Sequence, residues 1–146
     1  MQTVRDATGA TYLLVKRSAD SSRVRDPATG EERYVDNDEL RVVDGESPLA
    51  TAASGVPAPV RQALEAVRDD RSLGLLAVVV DEGPIAAIDL LDAADMCESD
   101  LHGTISEFRA AGLIDEVDVA GRRGYEATSV AVEAMGLLRG GSESVE

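Results

Sequence analysis

Cysteine, histidine, lysine and aromatic residues are almost missing from this chain of 146 residues. The single cysteine, Cys97, excludes an intramolecular disulfide and fits a reducing compartment, the cytosol. With a single histidine, His102, it leaves too few soft ligands for a zinc site, and the two stand five apart, a spacing that does not share a helix face. No metal is therefore expected. No apolar run approaches the roughly 18 residues that a membrane span needs, and Arg5 and Asp6 interrupt the stretch where a signal peptide would run. Also missing are a phosphate loop, a dinucleotide fingerprint and any nucleophile, base and orienting partner at catalytic spacing. Neither an enzyme nor a cofactor is expected.

What the chain has is acid. Twenty-eight Asp and Glu stand against fourteen Lys and Arg, a net charge of -14, which excludes nonspecific nucleic-acid binding by bulk charge in ordinary salt. The carboxylates are scattered instead of gathered in one tail, so they belong to a folded surface, and 44% hydrophobic residues supply a core beneath it. Scattered acid, arginine in place of lysine (only Lys16 is lysine), abundant alanine and 3% aromatics together resemble the proteins of halophilic archaea. In about 1 M salt the screening length is about 3 Å, which mutes the repulsion within such a surface.

Residues 1–44 are expected to form a small β domain. Thr3 and Val4 begin a strand, 7–9 turn it, and Thr11 to Val15 pair back. A second hairpin runs from Val24 through Pro27 and Gly30 to Val35, and a short turn or one helical turn at 36–39 precedes a last strand, Leu40 to Val43. The order resembles an SH3-like barrel, with a plain meander as the alternative. The small, proline-punctuated segment 45–55 reads as a linker, and 141–146 as a disordered tail.

From 56 to 140 helical patterns take over. Val60, Leu64 and Val67 give one helix an apolar face, Leu73 to Val80 a second, and Glu82-Gly83-Pro84 stops it. A third helix covers 87–94. In 96–111 Leu101, Ile105 and Phe108 share a face, and Gly112 supplies a left-handed stop. Val117 and Val119 then alternate with acid up to a Gly121 to Gly124 tip, Tyr125 to Thr128 return, and Ser129 is placed to cap a last helix carrying Val132, Met135 and Leu138.

Gly83-Pro84-Ile85, Leu90, the stretch from Met96 to Ala111-Gly112-Leu113-Ile114, and the Gly-Arg-Arg-Gly tip with Tyr125 and Thr128 resemble the ArsR-like winged helix-turn-helix family over about residues 60–138. That resemblance implies an α+β protein, a small β unit followed by a winged helix-turn-helix domain, acting as a DNA-binding transcription regulator and a homodimer through the helices before Asp69 and after Thr128. It implies that helix 96–111 enters the major groove and that the hairpin tip is the wing. Ser99, His102 and Ser106 are then the candidates for base edges, and Arg122 and Arg123 for phosphate. Two positions depart from the pattern: Gly103 stands where the family commonly has a polar or basic residue, and Cys97 where it starts the helix with serine or threonine.

A second function stays open on the same residues. Between Ser72 and Ala120 eleven carboxylates accompany one cation, Arg109, and Glu98, Asp100 and Glu107 lie on the groove helix itself. Such a helix meets phosphate with repulsion, which fits a protein-interaction module that has lost DNA contact. In either reading the N-terminal β domain is available to a protein partner.

Overall fold

Short runs of alternating apolar and polar residues pair into the first sheet: Gln2–Arg5 (β1), Thr11–Arg17 (β2), Ser21–Arg25 (β3), Glu32–Asp36 (β4) and Arg41–Val42 (β5). All pairings are antiparallel, in the order β4-β3-β2-β1-β5. The first four strands form a meander. The last does not continue it: a 3-10 turn at Asn37–Glu39 carries the chain back, and Val42 pairs with Val4 of the first strand. A plain meander is thereby excluded, and the order is barrel-like. Val4, Leu14, Val24 and Val35 form the core of this unit. Asn37 holds the crossing, accepting from the Ser22 hydroxyl at 2.5 Å and donating to the carbonyls of Ser18 and Ala19.

The computed structural model describes residues 1–140, and the tail expected at 141–146 lies outside the described residues. The protein is α+β, and it divides into two units, 1–57 and Ala58 onward. The segment 45–55 is not a bare linker. Its Pro48–Ala53 (α1) is a helix capped by Ser47, with proline at its first position, where a missing N–H costs nothing. The helix belongs to the first unit, packing on β1 and β2. Buried Thr51 meets buried Thr3 through their hydroxyls at 2.6 Å. Turn-like composition concealed it, because alanine, serine and threonine suit a loop and a short docked helix equally well.

That pair gives a test of the docking. Thr51→Val should strand the Thr3 hydroxyl in a dry site and lower stability by about 1–3 kcal/mol, whereas adding Thr3→Val should recover much of the loss. Denaturant titration of both variants measures it.

The second unit contains Ala58–Leu64 (α2), Asp70–Glu82 (α3), Ile85–Ala86 (β6), Ala87–Ala93 (α4), Glu98–Ala110 (α5), Ile114–Val119 (β7), Arg122–Ala127 (β8) and Ser129–Leu138 (α6). Its sheet has the order β6-β8-β7, antiparallel throughout. Phe108, Leu76, Leu90, Leu113 and Ile114 lie at the centre of the core. Two expected apolar faces shift by a residue. Helix α2 ends at Leu64 and buries Val60 and Ala63, leaving Leu64 63% exposed. Helix α6 buries Ala131, Ala134 and Met135 and leaves Val132 and Leu138 exposed. Alanines make the closer helix contact, so the larger side chains turn outward. The cap of α6 is Thr128, whose hydroxyl accepts from the Ala131 N–H, and not Ser129.

Local electrostatics fix the ends of α3. Asp69 caps it, and the Ser72 N–H that it accepts at 2.9 Å holds its carboxyl below the usual carboxylate range. At the other end Asp81 accepts two hydrogen bonds from Arg139, which lowers its pKa likewise. Both are depressed in the folded state, so what they contribute is present above about pH 4 and is lost as the pH falls through the folded values.

Candidate nucleic-acid interface

Helix α5 owes its placement to three apolar side chains. Leu101, Ile105 and Phe108 are buried, and the opposite face carries Ser99, Gly103, Ser106 and Ala110, all exposed, with half-buried His102 beside them. Cys97 holds the N-cap position and makes no side-chain cap, while Glu98 and Asp100 in the first turn suit the positive end of the helix. The C-terminus closes on Gly112 at φ 77°: its N–H reaches the Arg109 carbonyl, and the Leu113 N–H reaches that of Phe108. This 6→1 and 5→2 pair is a Schellman stop, and the buried side chains of Phe108 and Leu113 accompany it.

The hairpin after it differs from the expected one at its tip. The loop is Ala120-Gly121, with φ 53° and 82°, the two-residue turn that needs positive φ at both positions. Asp118 accepts the Gly121 N–H at 2.7 Å. Arg122 and Arg123 therefore begin the return strand, opposite Val119 and Asp118, instead of standing at the tip. The glycine pair in the sequence suggested a four-residue tip, but the second one, Gly124, is a buried strand residue.

Nor do the five candidate residues converge on one point. His102 and Arg123 line the same cleft of about 210 Å³, between α4, α5 and β8, with Glu98, Ile88 and Tyr125. His102 Nε2 lies 3.6 Å from Glu98 Oε2, one helical turn back. Ser99 lines a separate groove with Gly103, Arg68 and Arg71, and Ser106 a third, with Arg109 and Glu116. Arg122 Nη2 is 3.9 Å from Asp89 Oδ2 on α4, a carboxylate partner that sequence neighbours did not reveal.

Part of the negative charge on and beside α5 is paired. Glu107 is paired by the Arg68 guanidinium, Glu116 of the neighbouring strand lies 3.4 Å from Arg109, and Arg71 reaches Asp95 just before α5. Arg68 and Arg71 stand just before Ser72, flanking Asp69 and Asp70 across the start of α3. That alternation of sign was the signal available, and a count along the chain missed it because the pairing spans 39 residues. Among the described residues no group of three or more His, Cys, Asp and Glu side chains is placed to hold a metal ion, and no helix is long and apolar enough to cross a membrane.

A family model described as "Family of unknown function (DUF7346)" matches residues 1–139. No curated protein and no solved structure matches the chain.

Proposed function

The chain belongs to DUF7346, a family of unknown function, and from the geometry we propose that it is a DNA-binding transcription regulator of the ArsR-like winged-helix kind, without metal sensing, working in the cytoplasm of a high-salt cell. The observation that carries this reading is the outward stripe of α5. Ser99, Gly103, Ser106 and Ala110 are small, exposed and uncharged, while the carboxylates of the helix fall on its flanks, Glu107 in an ion pair with Arg68. A helix of this shape can approach base edges closely. Gly103 in place of a larger residue then brings the backbone nearer the groove, and Ser99, His102 and Ser106 supply the polar contacts.

Support for a homodimer comes from α2 and α6, which pack on each other. Helix α6 carries a single charge, Glu133, and still exposes Val132 and Leu138, with Leu64 of α2 exposed as well. Apolar surface of this kind on a helix pair suits a second copy of the chain.

The test is an affinity series on promoter DNA from the native host and on unrelated DNA, at several KCl concentrations. Replacing Arg122 and Arg123 by alanine should weaken binding to every sequence alike and lower the slope of log affinity against log salt by up to about 0.9 per lost phosphate contact. Arg123 should account for most of it, since Arg122 lies close to Asp89. Replacing Ser99, His102 or Ser106 should instead alter the preference between sites. Unchanged binding by the double arginine variant would remove Arg122 and Arg123 from the interface, and capture of a protein with no DNA binding at any salt would replace the regulator by the interaction module.

A further inference from the structure

The only lysine of the chain and its only exposed aromatic side chain lie in one row of the first sheet. Of the four aromatic residues, Phe108 and Tyr125 are buried. Tyr12 is half-buried under Arg33, whose guanidinium carbon stands 5.0 Å from the ring centroid and whose Nη2 donates to the Tyr12 hydroxyl. Tyr34 alone is open, at 60% exposure. Its cross-strand partner on β3 is Arg23, and Arg23 in turn stands opposite Lys16 on β2.

This alignment depends on a bulge. The register of β2 against β3 shifts between Leu14 and Lys16, so Leu14 enters the core while Lys16, two residues on, turns to the face that carries Arg23. Lys16, Arg23 and Tyr34 thus form a row about 10 Å across, two strand spacings. Arg25 and Glu32 stand beside it, and Glu32 is committed to Arg25 by hydrogen bonds of 3.0 and 2.6 Å. Arg23 Nε, 3.3 Å from the other Glu32 oxygen, is buried and has no hydrogen-bond partner. Three cations here meet two carboxylates, Glu32 and, at the end of β4, Asp36. In a chain with two acids for every base, that local excess is unusual.

The geometry points to a binding site for single-stranded nucleic acid on this face, with one base stacked on Tyr34 and the adjoining phosphates held by Lys16 and Arg23. An open ring beside cations is the pair of contacts that such strands use: the ring takes the π-face of any base, and the cations track the backbone. In a duplex the bases are stacked on one another and withhold those faces. Stacking also persists in concentrated salt, where counterion release contributes little. The site is independent of α5 and of the duplex reading above.

The experiment uses the full chain and a fluorescein-labelled oligothymidylate of about 12 nucleotides, with anisotropy read across a KCl series. Tyr34→Ala should weaken binding by about 5- to 150-fold, and Tyr34→Phe, which keeps the ring, should stay within about two-fold of the parent. Lys16→Gln should reduce the salt slope by about 0.7, one single-strand phosphate contact. Duplex binding should be unchanged by Tyr34→Ala, so failure of this site and failure of the regulator reading are separate results. Thermal unfolding of each variant, expected to match the parent because Tyr34 and Lys16 are exposed, confirms that the fold is kept. Equal binding by Tyr34→Ala and parent overturns the proposal. So does displacement of the oligonucleotide by an equal concentration of oligoglutamate, which would make the face a site for acidic peptide.

Discussion

Transfer from molar to millimolar salt at pH 7 should strip the protein of most of its helical circular dichroism while its first sheet survives. The charge is unevenly divided between the two units. Residues 1–57 hold ten carboxylates and seven cations, whereas 58–146 hold eighteen carboxylates and seven cations. Eleven negative charges in the second unit are therefore unmatched. The screening length grows from about 3 Å at 1 M to about 30 Å at 0.01 M, so charges that ignore one another in molar salt repel across the whole unit in dilute buffer. Its ion pairs strengthen at the same time, but their side chains are solvent-exposed, and such pairs contribute at most about 1 kcal/mol each. Five of the six α-helices among the described residues belong to this unit, which makes the far-ultraviolet signal near 222 nm report on it. A spectrum unchanged by dilution would show that packing outweighs the repulsion and would remove the support for a high-salt cell.

Gly124→Ala should unfold the same unit by another route. Gly124 is buried in the central strand, between β6 and β7. A methyl group there would stand 2.5 Å from Val119 Cγ2 and 2.6 Å from the Ile85 carbonyl oxygen, with Ala86 Cα at 3.1 Å. Val119 can rotate away; the Ile85 carbonyl is backbone in a paired strand and cannot move without opening the pairing of β6 and β8. The cost should reach about 3 kcal/mol, a fall of more than about 10 °C in Tm. Gly103→Ala is the matched control. Its added methyl meets open space on the exposed face of α5, and alanine in a helix interior gains about 0.5–1 kcal/mol over glycine. One substitution type should thus lower Tm at one site and raise it at the other. Equal effects would mean that β8 is less tightly enclosed than the structure has it.

Elements with a local rule were legible in the chain. The spacing of Leu101, Ile105 and Phe108 names the buried face of α5, Gly112 its stop, and the alternation around Val117 and Val119 the hairpin. Each follows from contacts three, four or two residues apart, which periodicity records directly. The strands of the first unit and its helical turn before the last strand were legible for the same reason.

What pairs with what across long separations was not. Thr51 and Thr3 meet over 48 residues and turn an expected linker into a docked helix. Val42 returns to Val4 instead of following β4. Arg68 neutralises Glu107 across 39 residues, and Asp89 comes close to Arg122, so the charge of the α5 face and of the hairpin differs from any count along the chain. Composition, net charge, the buried face of α5 and the turns that glycine permits can be read from residue order alone. Tertiary structure alone settles which small residues are buried, which carboxylates are paired and that, of the five candidate residues, His102 and Arg123 share a cleft. Burial and ion pairing depend on distance in space, and no local pattern of residue types encodes a partner tens of residues away.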